Sequence, residues 1–357
     1  MIWDVAICGG GPAGLAAALH AAAAGFSTVV LERSAGAPDK ACGEGLMPRG
    51  LRALEPLHVL EGIRDTRPFR GIRYFQEDGG AVEARFRGGS GLGIRRTALA
   101  QALRERALVA GAEIRAASVR GLRRGGGLDT DAGPIEARLV IAADGLGSPL
   151  RRAAGLELAA NGRRRFGLRR HYAVEPWADL VEVHWSAGAE AYVTPVGARS
   201  VNVAFLWEAG AFEEKASFDS LLARFPALGE RVGSAAVESE ARGAGPLSRR
   251  VKARAAPGLA LVGDAAGYVD AITGQGLSLA FTSAERLVQS LPRALREPDL
   301  SRALRRYDAS LRAEWLRYAL PARALLALAR RPGLRRRTLG FLQRHPAWFG
   351  AFLRIVV

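Results

Sequence analysis

Val5-Ala6-Ile7-Cys8-Gly9-Gly10-Gly11-Pro12-Ala13-Gly14 decides the fold of this 357-residue chain. Four apolar residues of strand type run straight into G-x-G-x-x-G, with glycines at 9, 11 and 14. An Ala- and Leu-rich helix is predicted from Ala13 to about Ala24, closed by Gly25, and a second strand from Thr28 to Leu31 delivers Glu32. Each part has a physical task in dinucleotide binding. Gly9 permits the tight turn, Gly11 lets a pyrophosphate approach the backbone, and Gly14 lets helix and strand pack closely. The helix N-terminus offers free N–H groups and a positive dipole to phosphate. Glu32, placed 18 residues past Gly14, suits the ribose hydroxyls. The motif alone does not separate FAD from NAD.

Two distant strand ends bear on that choice. Arg138 to Ala143 is a buried-strand run ending in Asp144-Gly145, and Leu259 to Val262 is another, ending in Gly263-Asp264. Gly274-Gln275-Gly276 then opens a long apolar helix from Leu277. An aspartate at a strand end can accept hydrogen bonds from a polyol chain. The Gly276 helix start can hold a phosphate or a flavin carbonyl.

These motifs together resemble the para-hydroxybenzoate hydroxylase-like FAD-dependent oxidoreductase superfamily, over residues 5 to about 290. Arg96-Thr97-Ala98-Leu99 fits that family's arginine-started helix, and Val119 sits where its backbone meets adenine. Lys40-Ala41-Cys42-Gly43-Glu44-Gly45 resembles the K-x-C-G-E-G loop of a branch holding geranylgeranyl reductase-like proteins and type III polyketide-associated hydroxylases. The resemblance assigns FAD to Gly9, Gly11, Pro12, Ala13, Gly14, Glu32, Arg33, Cys42, Gly43, Arg96, Val119, Asp144, Gly145, Gly263, Asp264, Gly274, Gly276 and Leu277. Ala271 and Gln275 depart from the branch's proline and glutamate, which touches redox tuning rather than binding. Cys42, Glu44, His184 and Tyr192 are the catalytic candidates, and Cys42 reads as a small residue packed over the cofactor before it reads as a redox thiol.

The fold class implied is α/β. A FAD-binding Rossmann-type (glutathione reductase-like) domain, discontinuous over 1–67, 95–158 and 255–290, carries an inserted antiparallel β-sheet substrate domain over 68–94 and 159–254. Alternation at Val181–Trp185 and Ala191–Val196 supports that sheet. It offers Arg170, His184, Trp185, Tyr192 and Trp207 as substrate-facing candidates. A C-terminal segment, 291–357, reads as helical from Leu300 to about Val356, broken at Pro321, Pro332 and Pro346.

The chain has 51 basic and 35 acidic residues, but 291–357 alone holds 15 arginines and 4 acids. Basicity so confined, in a chain with only three lysines, does not make a nucleic-acid groove, which needs charge beside stacking platforms across a domain. Beside Trp348, Phe349 and Phe352 it suits peripheral contact with a lipid headgroup surface. Two cysteines point to a reducing compartment. No apolar run reaches the length of a membrane span, and nothing before the first strand reads as a secretory signal. The expected location is the cytoplasm, peripheral to the inner face of the membrane. Five scattered histidines give no metal-ligand spacing.

With no second G-x-G-x-x-G, the hydride donor is expected to be transiently bound NAD(P)H. The first functional expectation is a monooxygenase that hydroxylates an aromatic or polyketide- or lipid-like substrate through a flavin C4a-hydroperoxide. The alternatives are a prenyl double-bond reductase of geranylgeranyl type and, last, a non-catalytic prenyl- or FAD-binding protein. The halogenase variant lacks its W-x-W-x-I-P.

Overall fold

The computed structural model describes residues 1–159, 162–212, 216–293, 295 and 299–356. Its architecture is α/β. The opening apolar run is a strand, Ile2–Cys8, at the centre of a largely parallel sheet. Val5, Ala6 and Ile7 are fully buried there, as expected of a strand covered on both faces. Ile7 pairs with Val30 of the Thr28–Glu32 strand on one side and with Ile141 of the Gly133–Ala142 strand on the other. Glu113–Ala116 extends the first side and Leu259–Leu261 the second, both parallel, with Ala255–Ala256 antiparallel at the edge. This strand order places Gly9, Glu32, Asp144 and Gly263 just beyond or at the C-terminal ends of neighbouring strands. Motifs more than a hundred residues apart therefore converge at the edge where open α/β sheets take ligands.

Helices Pro12–Ala23, Arg96–Val109 and Gly276–Ser290 share one core with this sheet, Leu15, Leu103, Phe281 and Leu287 meeting Val5, Val29 and Leu139. A second eight-stranded sheet runs in the order Ala236–Val237, Arg165–Ala173, Ser200–Glu208, Ala189–Gly197, Val181–Ser186, Gly71–Phe75, Ala81–Arg85, with Arg242–Ala244 beside Arg165–Ala173. It is antiparallel except where Gly71–Phe75 joins Val181–Ser186 in parallel, Tyr74 opposite Val183. That junction recruits two separate chain segments into one sheet. Gly45–Leu46, Gly91–Ile94 and Thr66–Phe69 form a small third sheet.

The C-terminal segment corrects one expectation. Pro321 does not break the helix, which runs unbroken over Asp299–Ala329. Proline costs the hydrogen bond to the Arg317 carbonyl. Tyr318, Ala319, Ala322 and Leu325 are buried on either side of it, however, so packing holds both halves in line. Pro332 and Pro346 do start new helices, Pro332–Arg344 and Pro346–Val356, at first-turn positions where a missing N–H costs nothing. The long helix packs on the first core, where Tyr307 Oη donates to the Leu261 carbonyl at 2.6 Å. The last helix packs on the second sheet, Phe349 and Leu353 against Tyr74, Val183 and Trp185.

Candidate functional site

A cavity of about 780 Å³ lies between the C-terminal edge of the first sheet and the second sheet. Of the residues expected to hold a cofactor, Gly9, Gly11, Pro12, Ala13, Glu32, Arg33, Cys42, Gly43, Arg96, Val119, Asp144, Gly145, Asp264, Gly274, Gly276 and Leu277 line it. Gly14 and Gly263 stand behind its wall. A Cβ on Gly14 would overlap the Gly9 carbonyl oxygen, and one on Gly263 (φ +58°) would lie 2.6 Å from Ala13 Cβ. Both glycines permit close packing of helix and turn rather than contact with a ligand.

The cleft floor is prepared for an anion. A Cβ on Gly11 would project into open space, its one neighbour being Arg96 Nη2 at 3.8 Å. The Pro12–Ala23 helix starts without a side-chain cap, so its first amides have no side-chain acceptor. Glu32 is fixed at the other end of the floor, accepting from Gly10 N at 2.7 Å and Ser34 N at 3.0 Å. Arg33, Lys40 and Arg96 supply positive charge. Burial pushes the Lys40 ammonium below its ordinary pKa, and Arg96 adds to the push, while Glu32 opposes it. Burial raises the Asp264 carboxyl, against the pull of Arg96, Lys40 and Arg151. Burial also raises the Cys42 thiol, with Arg96 opposing, so Cys42 sits here protonated and weakly nucleophilic.

Four buried polar atoms of the lining, Arg96 Nε, Asp144 Oδ1, Arg169 Nε and Thr273 Oγ1, have no hydrogen-bond partner among the described residues. A buried donor and a buried acceptor left open cost free energy unless a ligand fills them. Phosphate oxygens and ribose or ribityl hydroxyls are the complementary groups, so the site fits FAD.

Arg151 ties the site together, and nothing in the sequence reading marked it. It is fully buried, and its guanidinium donates to the carbonyls of Asp264, Ala265 and Leu146 at 3.4, 3.2 and 2.9 Å. One planar fork thus crosslinks the loops after two different strands.

Glu44, a catalytic candidate, lines the cavity but its carboxylate is committed elsewhere. Oε1 accepts from Arg96 N at 2.9 Å, at the start of the Arg96–Val109 helix, and Oε2 lies 2.5 Å from His171 Nε2. The backbone of Glu44 is left-handed, φ +58°, a conformation that non-glycine residues hold only when surroundings over-determine it. His171 Nδ1 lies 2.8 Å from Ser239 Oγ and 3.1 Å from Arg169 Nη1, and Arg169 is ion-paired with Asp39. Buried Arg169, His171 and Glu44, with the half-exposed Asp39 at the outer end, therefore form a clamp between the second sheet and the 39–46 loop.

The structure does not bring His184 to the cavity. Val181 and Val183 line it, and alternation turns His184 to the opposite face, where it stacks on Phe75 at 4.4 Å and lies 3.3 Å from Glu182 Oε2. Arg170 is likewise turned away, over the Phe218 ring and beside Asp219. Trp207 and Trp185 both lie outside the lining, Trp207 stacked with Phe166 and Trp185 buried against Tyr74 and Arg335. Tyr192 does line the cavity. Burial, and then Glu190, hold its hydroxyl well above the usual phenol range, so it stays neutral, and it donates to Glu190 Oε2 at 3.4 Å. Behind it Arg165 bridges Glu190 at 2.6 Å and Asp270 at 2.9 Å. Among the described residues no cluster could hold a metal ion.

The model of a protein family described as FAD binding domain matches residues 3–315. The chain belongs to this FAD-binding family. It is an FAD-dependent oxidoreductase with the fold of the para-hydroxybenzoate hydroxylase-like superfamily. Among curated proteins, Digeranylgeranylglycerophospholipid reductase 1 of Methanopyrus kandleri is 31% identical over 330 residues, 86% of this chain and 85% of that protein. Menaquinone reductase of Mycobacterium tuberculosis is 32% identical over 220 residues, 56% of this chain, and the match spans only 54% of that relative's length. Among solved structures, a triple mutant of the flavin-dependent brominase Bmp2 superposes with a TM-score of 0.87 at 16% identity, covering 99% of this chain and 94% of that one. At that identity the likeness concerns the fold.

Proposed function

We propose that this oxidoreductase reduces carbon–carbon double bonds in an isoprenoid chain. The observation that carries the reading is the wall of the cavity opposite the nucleotide cleft. Ile72, Val181, Val183, Leu325, Phe352 and Leu353 make it apolar, which matches a long hydrocarbon better than a polar ring. Two relatives named as reductases, one of a digeranylgeranyl lipid and one of a menaquinone, support this reading and move it ahead of hydroxylation.

In this proposal the Gly9–Gly14 turn and the helix start hold the pyrophosphate, Glu32 the adenosine ribose, the Val119 backbone the adenine, Arg96 the linker and Asp264 the ribityl chain. Gly274, Gly276 and Leu277 border the ring. FAD, when bound, supplies the two-electron chemistry, with NAD(P)H as its transient reductant. The chain's own residues bind, orient and exclude water, and the neutral Tyr192 ring borders the cavity while its hydroxyl donates to Glu190 behind it.

The test is anaerobic reduction of the FAD-loaded protein in the presence of a geranylgeranyl glycerophospholipid or menaquinone, with products read by mass spectrometry. Products that gain two hydrogens per double bond support the reading. Products that instead carry oxygen from labelled dioxygen overturn it in favour of hydroxylation, and an unchanged lipid in both atmospheres overturns it outright.

A further inference from the structure

The last two helices have two faces of opposite character. On the inner face Phe349 and Leu353 are each only 2% exposed, and Phe352 and Leu353 reach the cavity. Phe349 and Phe352, expected on one surface with Trp348, thus turn inward. On the outer face Leu334, Phe341 and Trp348 are 47%, 41% and 64% exposed. The Phe341 ring lies 6.3 Å from Trp348 and 4.6 Å from His345, so the exposed rings are contiguous.

Charge accompanies them. Arg337 and Arg344 follow Leu334 and Phe341 at three-residue spacing, which puts all four on one helix face, and both arginines are exposed, as is Arg331. From Pro321 onward the sequence has eight arginines and no acid. Of the two acids in the turn between Gly71–Phe75 and Ala81–Arg85, Glu77 is engaged by Arg335 at 3.3 Å and Asp78 accepts from Gly80 N at 3.0 Å. A protein partner would want the rings without so one-sided a charge, and a merely solvated face would want the charge without the rings. Rings fringed by arginine suit the boundary between anionic headgroups and acyl chains.

We propose that this outer face is the docking surface for an anionic lipid bilayer. Trp348 and Phe341 enter the headgroup boundary while Arg331, Arg337 and Arg344 meet lipid phosphates. No helix among the described residues is long and apolar enough to cross a membrane, so the contact is peripheral. Because the Pro346–Val356 helix walls the cavity with its other side, docking sets the substrate chamber against the bilayer. The proposal goes beyond the reductase reading and holds whichever reaction the flavin site performs.

The test is flotation of the FAD-loaded full chain with vesicles of phosphatidylcholine alone or mixed with phosphatidylglycerol, at low and high salt. Binding to the mixed vesicles that fades with salt is expected. Arg331→Gln/Arg337→Gln/Arg344→Gln should lower it about a hundredfold. Phe341→Ser/Trp348→Ser should weaken it further while flavin absorbance and melting stay unchanged, since both rings are exposed. Several results would overturn the proposal: equal binding to neutral vesicles, no binding to either, or wild-type binding by the arginine variant. A dimer dissolved by Trp348→Ser would assign the face to a second copy. Salt-sensitive binding of RNA, lost in the arginine variant while vesicles are ignored, would assign it to nucleic acid.

Discussion

His171→Ala should damage this protein more than any substitution of the exposed histidines. The native ring is fully buried and lies 2.5 Å from a Glu44 carboxylate that is itself only 2% exposed. Removing the ring leaves Oε2 of that carboxylate without a partner. Leaving a buried carboxylate oxygen without its hydrogen bond costs about 1–3 kcal/mol, more where the group is charged. Arg169 cushions part of the loss, since it keeps Ser239 Oγ at 3.0 Å and Asp39. The Glu44 carboxylate keeps only the Arg96 amide, leaving the left-handed backbone to its own bonds with Ile94 N and Cys42 Sγ, so the 39–46 loop and the start of the Arg96 helix should loosen together. Equilibrium urea unfolding of the FAD-loaded protein reads the stability, and fluorescence titration of the apoprotein reads FAD affinity. Both should fall for His171→Ala. His171→Gln, which can still donate to Glu44, should recover most of the loss. In the double variant His171→Ala/Glu44→Gln no buried charge is stranded, so it should be more stable than His171→Ala alone. A loss below about 1 kcal/mol, the scale of an ordinary neutral hydrogen bond, or a double variant worse than the single, would refute the clamp.

Three further outcomes follow from the site. Asp264→Ala, which strands ribityl hydroxyls at about 1–3 kcal/mol, should weaken FAD binding about ten- to hundredfold, while Cys42→Ser keeps the cofactor; equilibrium dialysis showing the reverse order would sink this. Arg151→Lys should lower thermal stability and FAD affinity together, because an ammonium cannot reproduce the planar fork on three carbonyls; a melting curve like the parent's would count against it. Burial pushes the Asp270 carboxyl up to about 6, with Arg165 opposing and Glu190 assisting. Between about pH 4 and 6 the folded chain therefore holds a proton that the unfolded chain has released, so stability drains away as pH rises through that window. The stability of Asp270→Asn relative to the parent should accordingly grow by about 2 kcal/mol from pH 4 to 7, and urea unfolding that shows a flat difference would contradict it.

The glycine turns and strand-end aspartates were legible because backbone geometry dictates residue type there. Gly9-Gly10-Gly11 and Asp144-Gly145 say what they are without knowledge of the rest of the chain. Side-chain direction in the second sheet was not legible. Arg169-Arg170-His171 are all polar, so alternation gives no clue to which face is buried, and a shift by one residue exchanges the faces. Arg170 stood out by sequence, yet Arg169 and His171 make the clamp. His184 was misplaced for a different reason: alternation separates it from Val181 and Val183, but the cavity takes the apolar face of that strand, which only the folded chain shows. Arg151 gave no signal because its acceptors are main-chain carbonyls more than a hundred residues away in part. Pro321 misled because proline chemistry is local while the packing that overrides it is not. The inward turn of Phe349 depended on the cavity wall, which exists only after folding.

Order of synthesis gives the Pro346–Val356 helix another meaning. Every residue that lines the nucleotide cleft precedes the Gly276–Ser290 helix or belongs to it, whereas Phe352 and Leu353 complete the apolar wall from near the end of the sequence. As the chain leaves the ribosome from its N-terminus, the cleft can assemble while one side of the chamber still stands open. A bulky nucleotide then has a wide approach, and the wall closes behind it. Loading and sealing are thereby separated in time by nothing more than position along the chain.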